Sequence, residues 1–213
     1  MCNKVLNVTN GDYYNKYFLS KLGGIAVPFC EAMMDGEYVA DIYSDEFIKL
    51  RSRSLNVTEG EYRAKMYAYD ALSKENYDAI NLWFGADTFC QMNLLTLLAY
   101  LEQIEYKGRV ILNYIDDETF ETVKSDIEIS LGAYRKIYAD IFISRIIPDD
   151  VGALSKRAIE LYFDYHSDNG ALARLVKANS DKSKEDLVVL LLEKSKEYGL
   201  SDLQAEKIID SLK

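Results

Sequence analysis

Residues 79–88 read Ala79-Ile80-Asn81-Leu82-Trp83-Phe84-Gly85-Ala86-Asp87-Thr88, and this stretch decides the fold class. Ala79 to Phe84 has the length and composition of a buried strand. Gly85-Ala86-Asp87 is a turn, with Asp87 where a helix N-cap belongs. Thr88 to Ile104 then reads as a helix apolar on most of its faces, carrying Leu94, Leu95, Leu97, Leu98 and Leu101. A helix this apolar packs against a sheet rather than standing in water. Lys107-Gly108 turns the chain into a further strand, Arg109 to Ile115. Strand, helix and strand in succession predict a βαβ unit and therefore a parallel pair.

Towards the N-terminus the same pattern recurs. Lys4 to Thr9 is a β-prone run closed by Asn10-Gly11-Asp12, a strong turn signal. Asp12 stands at the N-cap position of a helix over Tyr13 to Leu22, Gly23-Gly24 ends it, and Ile25 to Phe29 is the next strand. A polar stretch from Cys30 comes next, in which Ser44 caps a short helix carrying Phe47, Ile48 and Leu50. Thr58 and Glu61 have capping-box spacing, predicting a surface helix to about Ser73. Towards the C-terminus, Asp116-Asp117-Glu118 predicts another helix start, and Pro148-Asp149-Asp150 one more, running to Tyr165. Beyond Ile147 no β-like run occurs. Helices are expected around Leu172 and Leu175, after Ser183, and after Ser201, where Ser201 and Gln204 form a second capping box. The expectation is an α/β, Rossmann-like three-layer domain over residues 1–146 and a small helical part over 147–213.

Composition narrows the function classes. The 213 residues hold 25 Lys and Arg against 35 Asp and Glu, a formal charge of −10 with a pI near 4.7. No basic face is visible, which argues against nucleic acid as a partner. No apolar run reaches the eighteen or so residues a membrane span needs. Three cysteines, Cys2, Cys30 and Cys90, without Cys-x-x-Cys spacing favour free thiols and a cytoplasmic setting. One histidine and scattered cysteines do not make a zinc site. Magnesium, held by rim carboxylates with a substrate phosphate, remains open. Neither a Walker loop nor a dinucleotide glycine fingerprint is present.

Ligands of open parallel sheets bind beyond the carboxyl ends of the strands. That rim should gather Asn10, Gly11 and Asp12; Glu31 with Asp35 and Gly36; Asp87 with Gln91; and Asp116 with Asp117. Any one aspartate there is explained by helix capping, worth about 1 kcal/mol; their joint location is what suggests a site. Arg53 is a candidate clamp for a carboxylate or phosphate, while Arg51 reads as a solvated helix residue. Cys30 and Cys90 read as small buried apolar residues. His166 fits a helix end as well as it fits catalysis.

Several of these residues resemble a bacterial family catalogued as domain of unknown function 1835. The matching stretches are Leu6 to Asp12, Phe29-Cys30-Glu31-Ala32 with Gly36, Arg53, and above all Leu82-Trp83-Phe84 followed by Asp87, Gln91 and Asn93-Leu94-Leu95. Phe163 to Ser167 and Leu172 resemble the family's C-terminal part. The resemblance implies an α/β fold and marks Asp12, Glu31, Arg53, Asp87 and Gln91, but implies no activity. Relatives often carry an acidic residue and a histidine where this chain has Gly85-Ala86, and proline where it has Glu37. The leading expectation is a binding site for a small polar or phosphorylated molecule, with hydrolase or transferase chemistry as an extension. The alternative is a non-catalytic interaction or regulatory module that uses the helical tail, whose stripe of Leu203, Ile208, Ile209 and Leu212 could pair copies into a homo-oligomer.

Overall fold

The computed structural model describes residues 4–21, 24–116 and 118–212; the readings at Cys2, Leu22, Gly23 and Asp117 lie outside them. Strand β1 (Val5–Asn10) leads into α1 (Asp12–Lys21) and β2 (Ala26–Phe29). Three helices, α2 (Asp45–Ser54), α3 (Glu59–Lys65) and α4 (Tyr67–Lys74), precede β3 (Ala79–Phe84), α5 (Thr88–Gln103) and β4 (Arg109–Ile115). A fifth strand, β5 (Thr122–Ile129), completes the sheet. The sheet order is β2-β1-β3-β4-β5, with β5 antiparallel and the others parallel. The protein is therefore α/β, with a mostly parallel sheet flanked by helices.

The order reverses between β1 and β3, and right-handed crossovers then send helices to opposite faces. On one face, α1 sets Tyr14 and Phe18 against Trp83 and Ile115. The other face carries Leu6, Val8, Ile80, Leu82, Phe84, Val110 and Leu112 and packs on α5, which is buried along most of its length, and on α2 and α4. The polar side chains on the α1 face satisfy one another: Asn7 accepts from Trp83 Nε1 at 3.1 Å and from Asn81 Nδ2 at 3.3 Å.

After β5 come α6 (Tyr134–Tyr138), running on into a π-turn (Ala139–Ile143), then α7 (Lys156–Tyr165), α8 (Ala171–Ala178), α9 (Lys184–Lys194), a 3-10 turn (Lys196–Tyr198) and α10 (Asp202–Leu212). Helix α7 belongs to two cores. Its Ile159 and Tyr162 join the sheet core, while Leu161 joins a second one with Leu187, Leu191, Tyr198 and Ile209. The tail's apolar stripe closes that second core: Ile209 is buried and Leu203 is 78% exposed. Both capping boxes form, at Thr58–Glu61 and at Ser201–Gln204.

Three expectations are corrected. The acidic run at Asp116 does not start a helix. Asp116 Oδ1 accepts from the amides of Glu118 and Thr119, closing a turn that delivers β5. The helix expected from Pro148 begins only at Lys156, because Ser155 is the residue that caps it, accepting from the Ala158 amide at 3.2 Å. The surface helix expected from Thr58 to Ser73 breaks at Met66 into α3 and α4. Among the described residues no helix is long and apolar enough to cross a membrane.

Candidate functional site

Gly11 leaves β1 at φ +81°, a left-handed turn that only glycine makes without strain. Its carbonyl accepts from the Asn15 amide, so Gly11 bounds α1 and Asp12 is the helix's first residue rather than its cap. The Asp12 carboxylate, 42% exposed, instead pairs with Lys65 of α3 and accepts from the Cys30 thiol at 3.5 Å. Lys65 holds the Asp12 carboxyl below its usual range. Burial and the Asp12 charge push the Cys30 thiol up to about 12, so it is no thiolate nucleophile at neutral pH.

Beside Asp12, Asn10 donates to Cys90 Sγ at 2.8 Å and accepts from Asn93 Nδ2 at 3.0 Å. Asn93 also donates to the Glu31 carbonyl at 2.6 Å and accepts from the Met33 amide at 3.1 Å. One buried amide on α5 thus ties together the carboxyl ends of β1 and β2.

Glu31 does not reach the rim. Its carboxylate accepts from Arg51 Nε and Nη2, each at 3.4 Å, and from the hydroxyls of Tyr62 and Tyr69. Arg51 is not a solvated helix residue: both side chains of the pair are fully buried, and Arg51 also donates to the carbonyls of Asp35 and Ala32 at 2.6 and 2.8 Å. The reason is charge. A carboxylate carried inside by the turn after β2 needs a partner there, and α2 presents Arg51 inward and Arg53 to solvent.

Asp87 caps α5, accepting from the Cys90 amide at 2.9 Å. Gln91 is wholly buried and fully engaged: Nε2 donates to the Gly85 carbonyl at 2.9 Å and Oε1 accepts from the Ser155 amide at 3.0 Å. It therefore joins the β3 turn to the start of α7. Beside that junction lies a cleft of about 430 Å³ lined by Ala86, Asp87, Ile115, Asp116, Ser155, Arg157 and Lys196, among others. Its position is the carboxyl end of β3 and β4. The cap residue of α5, Asp87, and the first turn of α7 both border it. Arg157 and Lys196 meet Glu197 and Glu118 there in exposed ion pairs. Backbone and side-chain hydrogen bonds from Thr119 lower the Asp116 carboxyl below its ordinary range.

The rim thus sorts the expected residues into groups. Asn10, Gly11 and Asp12 gather with Cys30, Cys90 and Lys65 at the end of β1, and Asp87 and Asp116 line the cleft next door. Glu31 and Gln91 are structural ties, and Arg53 stands exposed on α2. Sequence reading missed Lys65, Arg157 and Lys196, because each is one of several basic residues in its segment, beside Arg63, Lys156 and Lys194, and nothing in sequence singles it out. Asn93 enters the sequence reading only through the family resemblance, and its role as a tie is hidden because the residue sits inside an apolar run. Among the described residues no three His, Cys, Asp or Glu side chains gather to hold a metal ion. Fold and rim define an α/β protein with a polar cleft at its strand ends. Compared with protein-family models, curated proteins and solved structures, the chain finds no match.

Proposed function

We propose that the protein binds a small polar, anionic molecule, of the phosphorylated metabolite class, in the cleft at the carboxyl ends of β3 and β4. The observation that carries the reading is convergence: the N-terminal turn of α7 and two cationic side chains, Arg157 and Lys196, border one cleft beside the Asp87 cap of α5. Helix N-termini and cations both favour a bound anion. Exposed ion pairs such as Arg157–Glu197 and Lys196–Glu118 are worth less than about 1 kcal/mol, so a phosphate displaces them readily. Asp87 and Asp116 supply acceptors for hydroxyls or for a magnesium ion travelling with the phosphate. The resemblance to domain of unknown function 1835 rests on the neighbouring rim residues and adds no activity. An interaction module built on the tail has less in its favour, because α10 commits Ala205 and Ile209 to the chain's own second core.

Thermal-shift titration of the full chain with sugar phosphates and nucleotides, with and without magnesium, tests the proposal. Ligand at about a hundred times its Kd should stabilise by roughly 2.7 kcal/mol. That gain should disappear in an Arg157→Ala, Lys196→Ala double variant and persist in Arg53→Ala. A gain unchanged in the double variant would remove the cleft from consideration.

A further inference from the structure

At the far end of α7 the structure holds a second cavity, of about 370 Å³, that shares no lining residue with the rim cleft. Its walls come from three parts of the chain: Asp35 and Gly36 after β2, Arg145 after the π-turn, and the tail with His166, Leu172, Lys207 and Ile208. His166 is the chain's one histidine.

Arg145 is the informative residue. The backbone there is left-handed, φ +57°, where a helix end normally takes glycine. Its guanidinium lies 5.5 Å from the centre of the Tyr38 ring and 5.7 Å from that of Tyr162, and it donates to the Tyr162 hydroxyl at 2.5 Å. Among the described residues it has no carboxylate within 4.0 Å. A cation fixed by two rings, lining a cavity and lacking a counter-ion, is preorganised for an anion.

The surroundings limit which anion. His166 Nε2 meets the Met34 carbonyl at 2.9 Å and must therefore carry the proton, which leaves Nδ1 as the acceptor nitrogen until the ring is protonated. Partial burial of the ring, and then the nearby Arg145 charge, lower the His166 pKa from its ordinary value, against the pull of Asp35. Asp35 itself is engaged by Tyr165, Gln204 and Lys207, the last at 2.8 Å. Asp35 and Asp168 both line the cavity, and their negative charge disfavours a dianion. Leu172, Ala173, Ile208 and Leu212 supply the apolar part of the lining.

We propose that this cavity binds a monoanionic carboxylate with a compact apolar body, its carboxylate on Arg145 and its body against Leu172 and Ile208. Bound negative charge between Arg145 and His166 offsets the guanidinium, so the imidazole becomes easier to protonate. Because there is only one histidine, its ring resonances report the site without ambiguity. The test titrates the full-length protein with hexanoate, with inorganic phosphate as the second arm, and tracks those resonances by NMR across pH 5–8, the range in which histidine titrates. A saturable shift with hexanoate, a raised His166 pKa when it is bound, and weaker binding of phosphate are expected. Arg145→Gln should weaken hexanoate at least about tenfold, the loss of one charge-assisted hydrogen bond, while Arg109→Gln at the other end of the sheet should leave it unchanged. Should Arg145→Gln fail to fold, Arg145→Lys keeps the charge but loses the planar stacking and should weaken hexanoate in the same sense. Non-saturating shifts, binding indifferent to Arg145, or preference for phosphate would each overturn the assignment.

Discussion

Glu31 and Asp12 occupy equivalent places: each lies two residues past the end of a parallel strand, and the two strands are neighbours. Their fates are opposite. Glu31 is sealed in, matched by Arg51 and two tyrosine hydroxyls; Asp12 stays at the surface and pairs with Lys65. The difference lies in the path the chain takes on leaving each strand. After β1 the chain enters α1 at once, and the turn remains on the rim. After β2 it wanders through residues 30–44 before α2, and that longer path carries Glu31 inward to Arg51 of α2, Tyr62 of α3 and Tyr69 of α4. Position relative to the strand therefore does not make a carboxylate functional. A buried pair holds the fold together, and an exposed pair leaves a group available.

That contrast can be broken at its strong end first. Arg51→Met removes the cation and strands a buried carboxylate, which should cost about 3–5 kcal/mol in urea unfolding. Adding Glu31→Gln should recover a substantial part, since the uncompensated charge is then gone. A single variant no less stable than wild type would contradict the buried pair. Asp87→Ala, which deletes the cap of α5, should cost about 1 kcal/mol; calorimetry on the variant checks it.

The exposed end should give the smallest effect. Removing Asp12 or Lys65 should change stability by less than about 1 kcal/mol, and less still at high salt. Its sign with pH is set by the lowered Asp12 carboxyl. The folded state holds the ionised form more tightly than the unfolded chain does. The contribution is therefore complete above the unfolded carboxylate value of about 4 and fades as pH falls through the folded one. The difference in stability between wild type and Asp12→Asn, measured along an acid titration, should shrink in that direction.

The buried half of the molecule was the more legible. β3 and β4 fall where Ala79 to Phe84 and Arg109 to Ile115 place them, because strands covered by helices are mostly apolar, broken here only by Asn81 and by Arg109 and Asn113, and a glycine bounds each, Gly85 after β3 and Gly108 before β4. β5 was lost to its exposure. In Thr122 to Ile129 the β-branched residues Val123, Ile127 and Ile129 are interleaved with Lys124, Asp126 and Glu128, and the acidic run before it imitates a helix start. At the site, the aspartates could be placed on the rim from their turns alone. The burial of Arg51 could not, because an arginine drawn inside by a carboxylate twenty residues earlier looks, in sequence, like its neighbour Arg53.

Pro28 has a consequence for how the molecule meets others of its kind. The carbonyls of Ile25 and Phe29 face β1, accepting from Asn7 and Gly11, so alternation turns Pro28 outward, and the free margin of β2 lacks an amide there. At the opposite margin β5 sets out Lys124, Asp126 and Glu128. An extended segment from another chain finds a missing donor at one border and a row of charges at the other, which leaves the protein poorly suited to fibril growth by strand addition.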